Sequence, residues 1–332
     1  MCKMVESSYE YDEKELDISK LKGVGDVTAK KLKDVGIFTI QDLLLYSPIY
    51  ISEVTGIPAE RAEKLVLQAY EYLKDIGLVP KDFTVANELF NKRRLRKYIK
   101  TGSNNFDEMM KGGIPTQAVT EFYGEFGSGK TQLCHSLAVN VQLPEDEGGL
   151  NKNAIYIDTE NTFSPDRIVE IALNKGLDPN QVLRNIIVGK PYNTVILLNM
   201  VKKLSELIKK HNVGFIAIDS AVGPFRAEYL GRGRLSERQQ LLNRFMHDLL
   251  RIAEVYDVAI AITNQVQARP DVMFGDPTRP IGGHVVAHAV TYRIYLKKAK
   301  AADLRVAAIV DSPEHPPREI IFRIWEGGVT DP

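Results

Sequence analysis

The run Gly124-Glu125-Phe126-Gly127-Ser128-Gly129-Lys130-Thr131-Gln132 carries the residue types that hold a polyphosphate. Glycines without a Cβ let successive backbone N–H groups turn inward around phosphate oxygens. The pattern G-x-x-x-x-G-K-[ST] does so where an apolar strand gives way to a helix, whose positive dipole end then faces the anion. Lys130 is the expected cation for the β- and γ-phosphates, and Thr131 the hydroxyl for Mg²⁺. The stretch from Gly124 to Gln132 therefore points to ATP with Mg²⁺.

Phosphate binding alone does no hydrolysis. "GFIAIDS" is an apolar strand ending in Asp219, a carboxylate suited to the Mg²⁺ shell, although an aspartate can end any strand. "YIDTEN" places Asp158 and Glu160 at the end of a second strand, the edge where α/β proteins bind ligands. Glu160 is the candidate base for the attacking water, and a cap for the next helix is its plainer role. A third strand ends in Thr263-Asn264-Gln265, and the uncharged amide of Gln265 could report on the γ-phosphate.

Two further segments carry cations. Residues 221–244 contain Arg226, Arg232, Arg234, Arg238 and Arg244 against Glu228 and Glu237, a net charge of +3. Residues 266–284 are rich in Gly and Pro, carry Arg269 and Arg279 around Val272, Met273 and Phe274, and end at Gly282-Gly283-His284. Arginines that follow phosphates, beside apolar groups that wedge or stack between bases, suit single-stranded DNA. A lid over a small-molecule kinase site is the structural rival. Six basic residues between Asn91 and Lys100 read as a solvated face.

These residues need a scaffold. The chain has 332 residues, long enough for two domains, with 44% hydrophobic and 26% charged residues and 43 basic against 43 acidic side chains. The balance gives no net-charge signal for nucleic acid. Two cysteines without metal spacing, Cys2 and Cys134, argue against a disulfide framework. The polar start and the lack of a long apolar run lead us to expect a soluble, cytoplasmic protein.

Residues 1–16 read as a flexible acidic tail. Residues 17–75 read as short helices around glycine turns, with "ISKLKGVGDVTAKKLKDVGI" and "ISEVTGIPAERAEKLVLQAY" as two copies of one helical hairpin. Such hairpins suit a DNA backbone, and a helical interaction domain is the alternative. Residues 76–100 form a linker. From 101 to 332 strands alternate with helices, which predicts an α/β core with a mostly parallel twisted sheet. Strands are expected at 118–124, 153–158, 185–189, 214–219 and 258–263. Three more, "TYRIYLKK", "RVAAIV" and "EIIFRIW", are expected as an antiparallel extension. The helix from Ser236 is expected to bury Leu241, Phe245, Leu249 and Ala253.

The chain resembles the RecA-like strand-exchange recombinases, in their archaeal RadA branch. The resemblance rests on "GEFGSGKTQLCH", "YIDTENTF", "TNQVQARPD", "FGDPTRPIGGH", "IVDSP" and the arginine-rich segment, and runs from near Ile18 to the carboxyl end. It implies a RecA-like ATPase core behind a helix-hairpin-helix domain, and a DNA-dependent ATPase that pairs single-stranded with duplex DNA. It further implies a homo-oligomer, filament or ring, with ATP between neighbours.

By position, Arg226, Tyr229, Arg232 and Arg238 fall in the first DNA-binding loop, and Arg269, Gly282, Gly283 and His284 in the second. Phe83 and Ala86 match the polymerisation motif. Arg167 matches a residue of the nucleotide site, while Asp311 and Pro313 match the segment that caps ATP from the next protomer. Ser164 stands where the family usually has an arginine near adenine, and "DSPEHPPRE" differs from the usual continuation of the cap. A ring helicase on the same core, or a non-enzymatic paralogue that loads the recombinase, are the rival functions.

Overall fold

The computed structural model describes residues 16–79, 82–268, 278–280 and 283–332, and the chain divides into two compact units, residues 1–89 and 90–332. The acidic tail expected at 1–16 lies outside the described residues except for Leu16.

The first unit is all-helical. Its two hairpins are the 3₁₀ turn Ile18–Lys20 with the helix Asp26–Lys33, then the helices Pro48–Thr55 and Ala59–Asp75. In the first hairpin Gly23 takes φ +88°, whereas Gly25 is extended and caps the following helix. In the second, Gly56 supplies the left-handed turn at φ +67°. A contiguous apolar cluster that includes Leu32, Ile37, Leu65 and Leu73 lies between these helices. The helix Ala86–Arg93 follows, so part of the expected linker is ordered helix.

The second unit holds β1 (Tyr98–Ile99), β2 (Ile114–Pro115), β3 (Ala118–Gly124), β4 (Asn153–Asp158), β5 (Ile186–Gly189), β6 (Val213–Asp219), β7 (Ala259–Ala268), β8 (Thr278–Pro280), β9 (Tyr292–Lys298), β10 (Leu304–Asp311), β11 (Glu319–Trp325) and β12 (Gly328–Thr330). β1 and β2 pair as a small ribbon. Ile99 of β1 is already fully buried in the main core, so the core's packing begins before the expected start at residue 101.

The other strands form one sheet in the order β12-β11-β10-β9-β3-β7-β6-β4-β5, with β8 hydrogen-bonded to β7. β3, β7, β6, β4 and β5 are mutually parallel. β3 and β6 are buried along their whole length; β6 reads as an apolar run up to Asp219, whereas β3 buries Thr120 and Glu121 among its apolar residues.

One expectation needs correcting. β9 pairs with β3 in parallel, so the antiparallel extension starts at the β9–β10 pair and continues through β11 and β12; β8 also pairs antiparallel with β7. The helix Gly283–Ala289 precedes β9, so the chain has crossed back over the sheet and enters β9 in the direction of β3.

The long helix Leu235–Tyr256 buries Leu242, Phe245, Met246, Leu249, Ile252 and Ala253. Leu241 is only half-buried, so the core-facing stripe lies one position round from the expected one. Phe106, from the helix Asn104–Met109, meets Phe122 and Phe322 edge-on and ties that helix to both halves of the sheet. No described helix is long and apolar enough to cross a membrane.

Candidate active site

β3 ends at Gly124, and the helix Lys130–Asn140 starts six residues later. The intervening loop follows from its glycines. Gly127 and Gly129 take φ of +77° and +102°, values that favour glycine, and a Cβ on Gly124 would overlap the Leu296 carbonyl oxygen of β9. No side chain caps the helix at Gly129, so its first N–H groups face the cleft unclaimed by the protein's own side chains. Lys130 Nζ donates to the carbonyl oxygens of Gly124 at 2.8 Å and Glu125 at 2.9 Å, curling back over the loop that its own helix begins. Burial lowers the pKa of this ammonium, and the Asp219 and Glu160 carboxylates oppose that shift.

Asp219, at the end of β6, is 2% exposed and collects hydroxyl groups from four other segments. Thr131 Oγ1 donates to its Oδ2 at 2.7 Å, the Tyr156 hydroxyl at 2.9 Å and Thr162 Oγ1 at 3.2 Å, while Thr263 Oγ1 donates to Oδ1. A carboxylate and a threonine hydroxyl this close are hard oxygen donors, matched to a small divalent cation that keeps some of its water. The donor set therefore fits Mg²⁺, with Thr131 and Asp219 as the residues that would hold it. Burial pushes the Tyr156 phenol well above its ordinary range, so it remains a donor to Asp219.

Glu160 lies just past the end of β4 and is exposed. Its carboxylate is gripped from two sides. Ser220 Oγ donates to Oε1 at 2.7 Å, and Gln265 Nε2 lies 3.1 Å from Oε1 and 3.4 Å from Oε2. The sequence placed the candidate base and the candidate sensor on different strands, and the fold puts them in hydrogen-bond contact. Asp158 does something else: it accepts the backbone N–H groups of Thr162 and Phe163 and so shapes the loop that carries Glu160. Glu160 itself makes no such bond among the described residues, so the plainer role of helix cap falls to other groups. Ser164 caps the next helix, Pro165–Asn174, by accepting from Arg167 N at 3.2 Å.

These residues line one cleft of about 640 Å³ that runs from Lys130, Thr131 and Gln132 past Glu160 and Asp219 to Arg167. Gly127 and Phe126 also border it, Phe126 with 92% of its surface exposed. Arg167 Nε donates to Gln132 Oε1 at 2.8 Å, and its other nitrogens reach Glu170 and the carbonyls of Trp325 and Glu326. Sequence reasoning missed the far wall of the cleft: Arg305, Ile324, Trp325 and Glu326. Arg305 Nε donates to the Gly127 carbonyl at 3.0 Å, and Ile324 packs on Gly129. Their only sequence signal was a lone tryptophan in a terminal strand, far from any motif.

A second cavity of about 320 Å³ abuts the first. Glu160, Ser220 and Gln265 form one side of it, and Arg226 and Leu230 line it from the arginine-rich segment. Within that segment Arg226 is exposed on the short helix Gly223–Glu228, Tyr229 and Arg238 are half-exposed, and Arg232 begins the 3₁₀ turn Arg232–Arg234. In the second cationic segment, Arg269 and Gly282 lie outside the described residues. Gly283 and His284 begin the helix Gly283–Ala289, and their side chains are outside the description.

Phe83 is 94% exposed, and Ala86 opens the helix Ala86–Arg93 in the first unit. Asp311 is the exposed end of β10. Pro313 precedes Glu314, whose carboxylate accepts from Arg93 at 3.1 Å and Arg96 at 3.4 Å. Lys97 pairs with Glu145. Arg93, Arg94, Lys97 and Lys100 of the basic run are exposed, as expected of a solvated face, while Arg93, Arg96 and Lys97 also make ion pairs.

A mostly parallel sheet with a phosphate loop after its central strand, and with Thr131, Asp219 and Glu160 gathered beside that loop, defines a RecA-like P-loop core. Residues 92–332 match the Rad51 family model, and residues 15–71 match a SAM-like helix-hairpin-helix tandem. The chain is also similar to the DNA repair and recombination protein RadA of Cenarchaeum symbiosum (strain A). The two are 46% identical over 315 residues, which cover 95% of this chain and 79% of that protein. The chain belongs to the Rad51 family of recombinases, as a homologue of RadA.

Proposed function

We propose that this protein is an ATP-dependent homologous recombinase that assembles on single-stranded DNA and pairs it with duplex DNA. The observation that carries the reading is the contact of Glu160 with Gln265, between the phosphate cleft and the cavity lined by Arg226. A group that holds water for hydrolysis is thereby one residue away from a segment whose charge suits DNA.

Lys130, Thr131 and Asp219 would bind Mg²⁺·ATP, the cation neutralising charge that develops on the phosphates. Glu160 accepts the proton of the attacking water, and Ser220 Oγ keeps one carboxylate oxygen oriented for this. Gln265 Nε2 has two acceptors to choose between, Glu160 and a phosphate oxygen. Its turn toward phosphate would release the carboxylate for work, so hydrolysis follows correct loading of the cleft.

Assembly is the second half of the proposal. Phe83 stands free, and the sheet ends at β5, a strand whose outer edge can accept an added strand from a neighbour. Asp311 and Pro313, steadied through Glu314, would cover the next protomer's nucleotide.

The test is ATP turnover with and without single-stranded DNA, followed by electron microscopy and a D-loop assay. Stimulation by DNA, abolished in Lys130→Ala, together with regular filaments that form D-loops is the expected result. Rings with directional unwinding would indicate a helicase, and filaments without strand exchange a mediator. A rate indifferent to DNA would break the proposed coupling.

A further inference from the structure

We propose that Trp325 is the base-stacking wall of the nucleotide cleft and sets this chain's preference for a purine. The inference rests on the nucleotide reading above and adds a residue that neither the motifs nor the family match points to.

The cleft is lined by chemically different groups. Lys130, Thr131 and the open helix terminus suit phosphates. Trp325, which also lines it, lies at the end of β11, where a two-residue turn leads into β12. It is the only tryptophan in the chain and is 41% exposed, an unusual cost for the largest apolar side chain unless something covers it.

The ring is held for use. Its six-membered part lies against Gly327, where a Cβ would overlap it, so the turn keeps a flat bed for the indole. Arg167 grips the same turn from below through the carbonyls of Trp325 and Glu326. A locked ring loses little rotamer entropy when a base stacks on it.

Arg167 is fixed in place by hydrogen bonds in the plane of its guanidinium. Its Nε is committed to Gln132 and its terminal nitrogens to Glu170 and the turn. Ser164 offers only a short hydroxyl, spent on capping its helix. The indole thus presents a part-exposed π-face to the cleft, which the exposed ring of Phe126 also lines.

Because Trp325 is the sole tryptophan, the full-length protein reports on the contact directly. Mg²⁺·ATP should change its emission saturably, and Mg²⁺·tripolyphosphate should not. Calorimetry should show that Trp325→Ala binds ATP roughly tenfold more weakly, the scale of one lost stacking contact. The same variant should lose its preference for ATP over CTP while binding tripolyphosphate as before, and Trp325→Phe should recover most of that preference. Matching thermal melts would show that the variants fold.

ATP binding by calorimetry with silent emission, and an unchanged ATP-to-CTP ratio in Trp325→Ala, would overturn this inference and leave the ATPase reading intact. Failure of the unaltered protein to bind ATP at all would overturn both.

Discussion

At the scale of single residues, the site works by sharing acceptors. Asp219 takes four hydroxyl groups from Thr131, Tyr156, Thr162 and Thr263, so its position is over-determined before any cation arrives. Among the described residues Glu160 is held by two donors, Ser220 and Gln265, and in the proposed reaction Gln265 would have a second partner. If Glu160 is the base, as proposed, Glu160→Gln keeps the shape and loses that function. We expect turnover to fall by about 10²- to 10⁴-fold with ATP affinity nearly unchanged, as read by single-turnover hydrolysis beside equilibrium binding.

His135 gives a stability prediction at the same scale. It stacks on Tyr156 at 5.4 Å, is 1% exposed, and burial lowers its pKa from 6.5 to about 4. The native state thus holds it neutral, while the unfolded chain takes up a proton below pH 6.5. The contribution is complete above pH 6.5 and is lost progressively down to about pH 4, on the order of 3 kcal/mol. His135→Phe should flatten this part of the curve of melting temperature against pH.

At the scale of elements, the central strands are joined by a buried ionic group. Glu121 of β3 is fully buried; Arg293 of β9 donates to it at 2.7 Å, and Asn264 of β7 donates at 2.8 Å. This one side chain fixes β3, which carries the phosphate loop, against β7, which carries Gln265. Removing one member of a buried pair leaves the other charge unsatisfied, a loss of about 3–5 kcal/mol. Glu121→Leu should lower the urea midpoint by a matching amount, and an unchanged midpoint would mean that the strands hold their register without it. The ion pairs of Glu314 tie the segment after β10 to Arg93 and Arg96 at the start of the same unit.

At the scale of the whole molecule, function depends on copies meeting. Phe83 is almost fully exposed, and Val85 beside it is exposed as well. Phe83→Glu should leave the melting temperature within about 1 °C and abolish long filaments by light scattering and microscopy, because a charge cannot enter an apolar pocket without its water. DNA affinity should also fall as salt rises, through release of counterions from phosphates. Arg226→Ala should reduce the slope of log affinity against log salt by about one, and a parallel line would remove Arg226 from the interface.

Much of the fold was legible in the sequence because its signals are local. The runs ending in Gly124, Asp158 and Asp219 are strands buried along all or nearly all of their length, and Gly124–Thr131 announces its backbone by its glycines. The twinned hairpins of the first unit were equally plain. The direction of β9 was not legible, since it depends on where the chain has crossed the sheet and not on the composition of the strand. Nor could spacing show that Gln265 rests on Glu160, 105 positions away, or that Trp325 faces a loop nearly 200 residues before it. Residue type determined that a phosphate, a cation and a water could be handled. Only the tertiary structure decided which donor meets which acceptor, because a hydrogen bond needs atoms within about 3 Å, and the path of the chain through the sheet sets those distances.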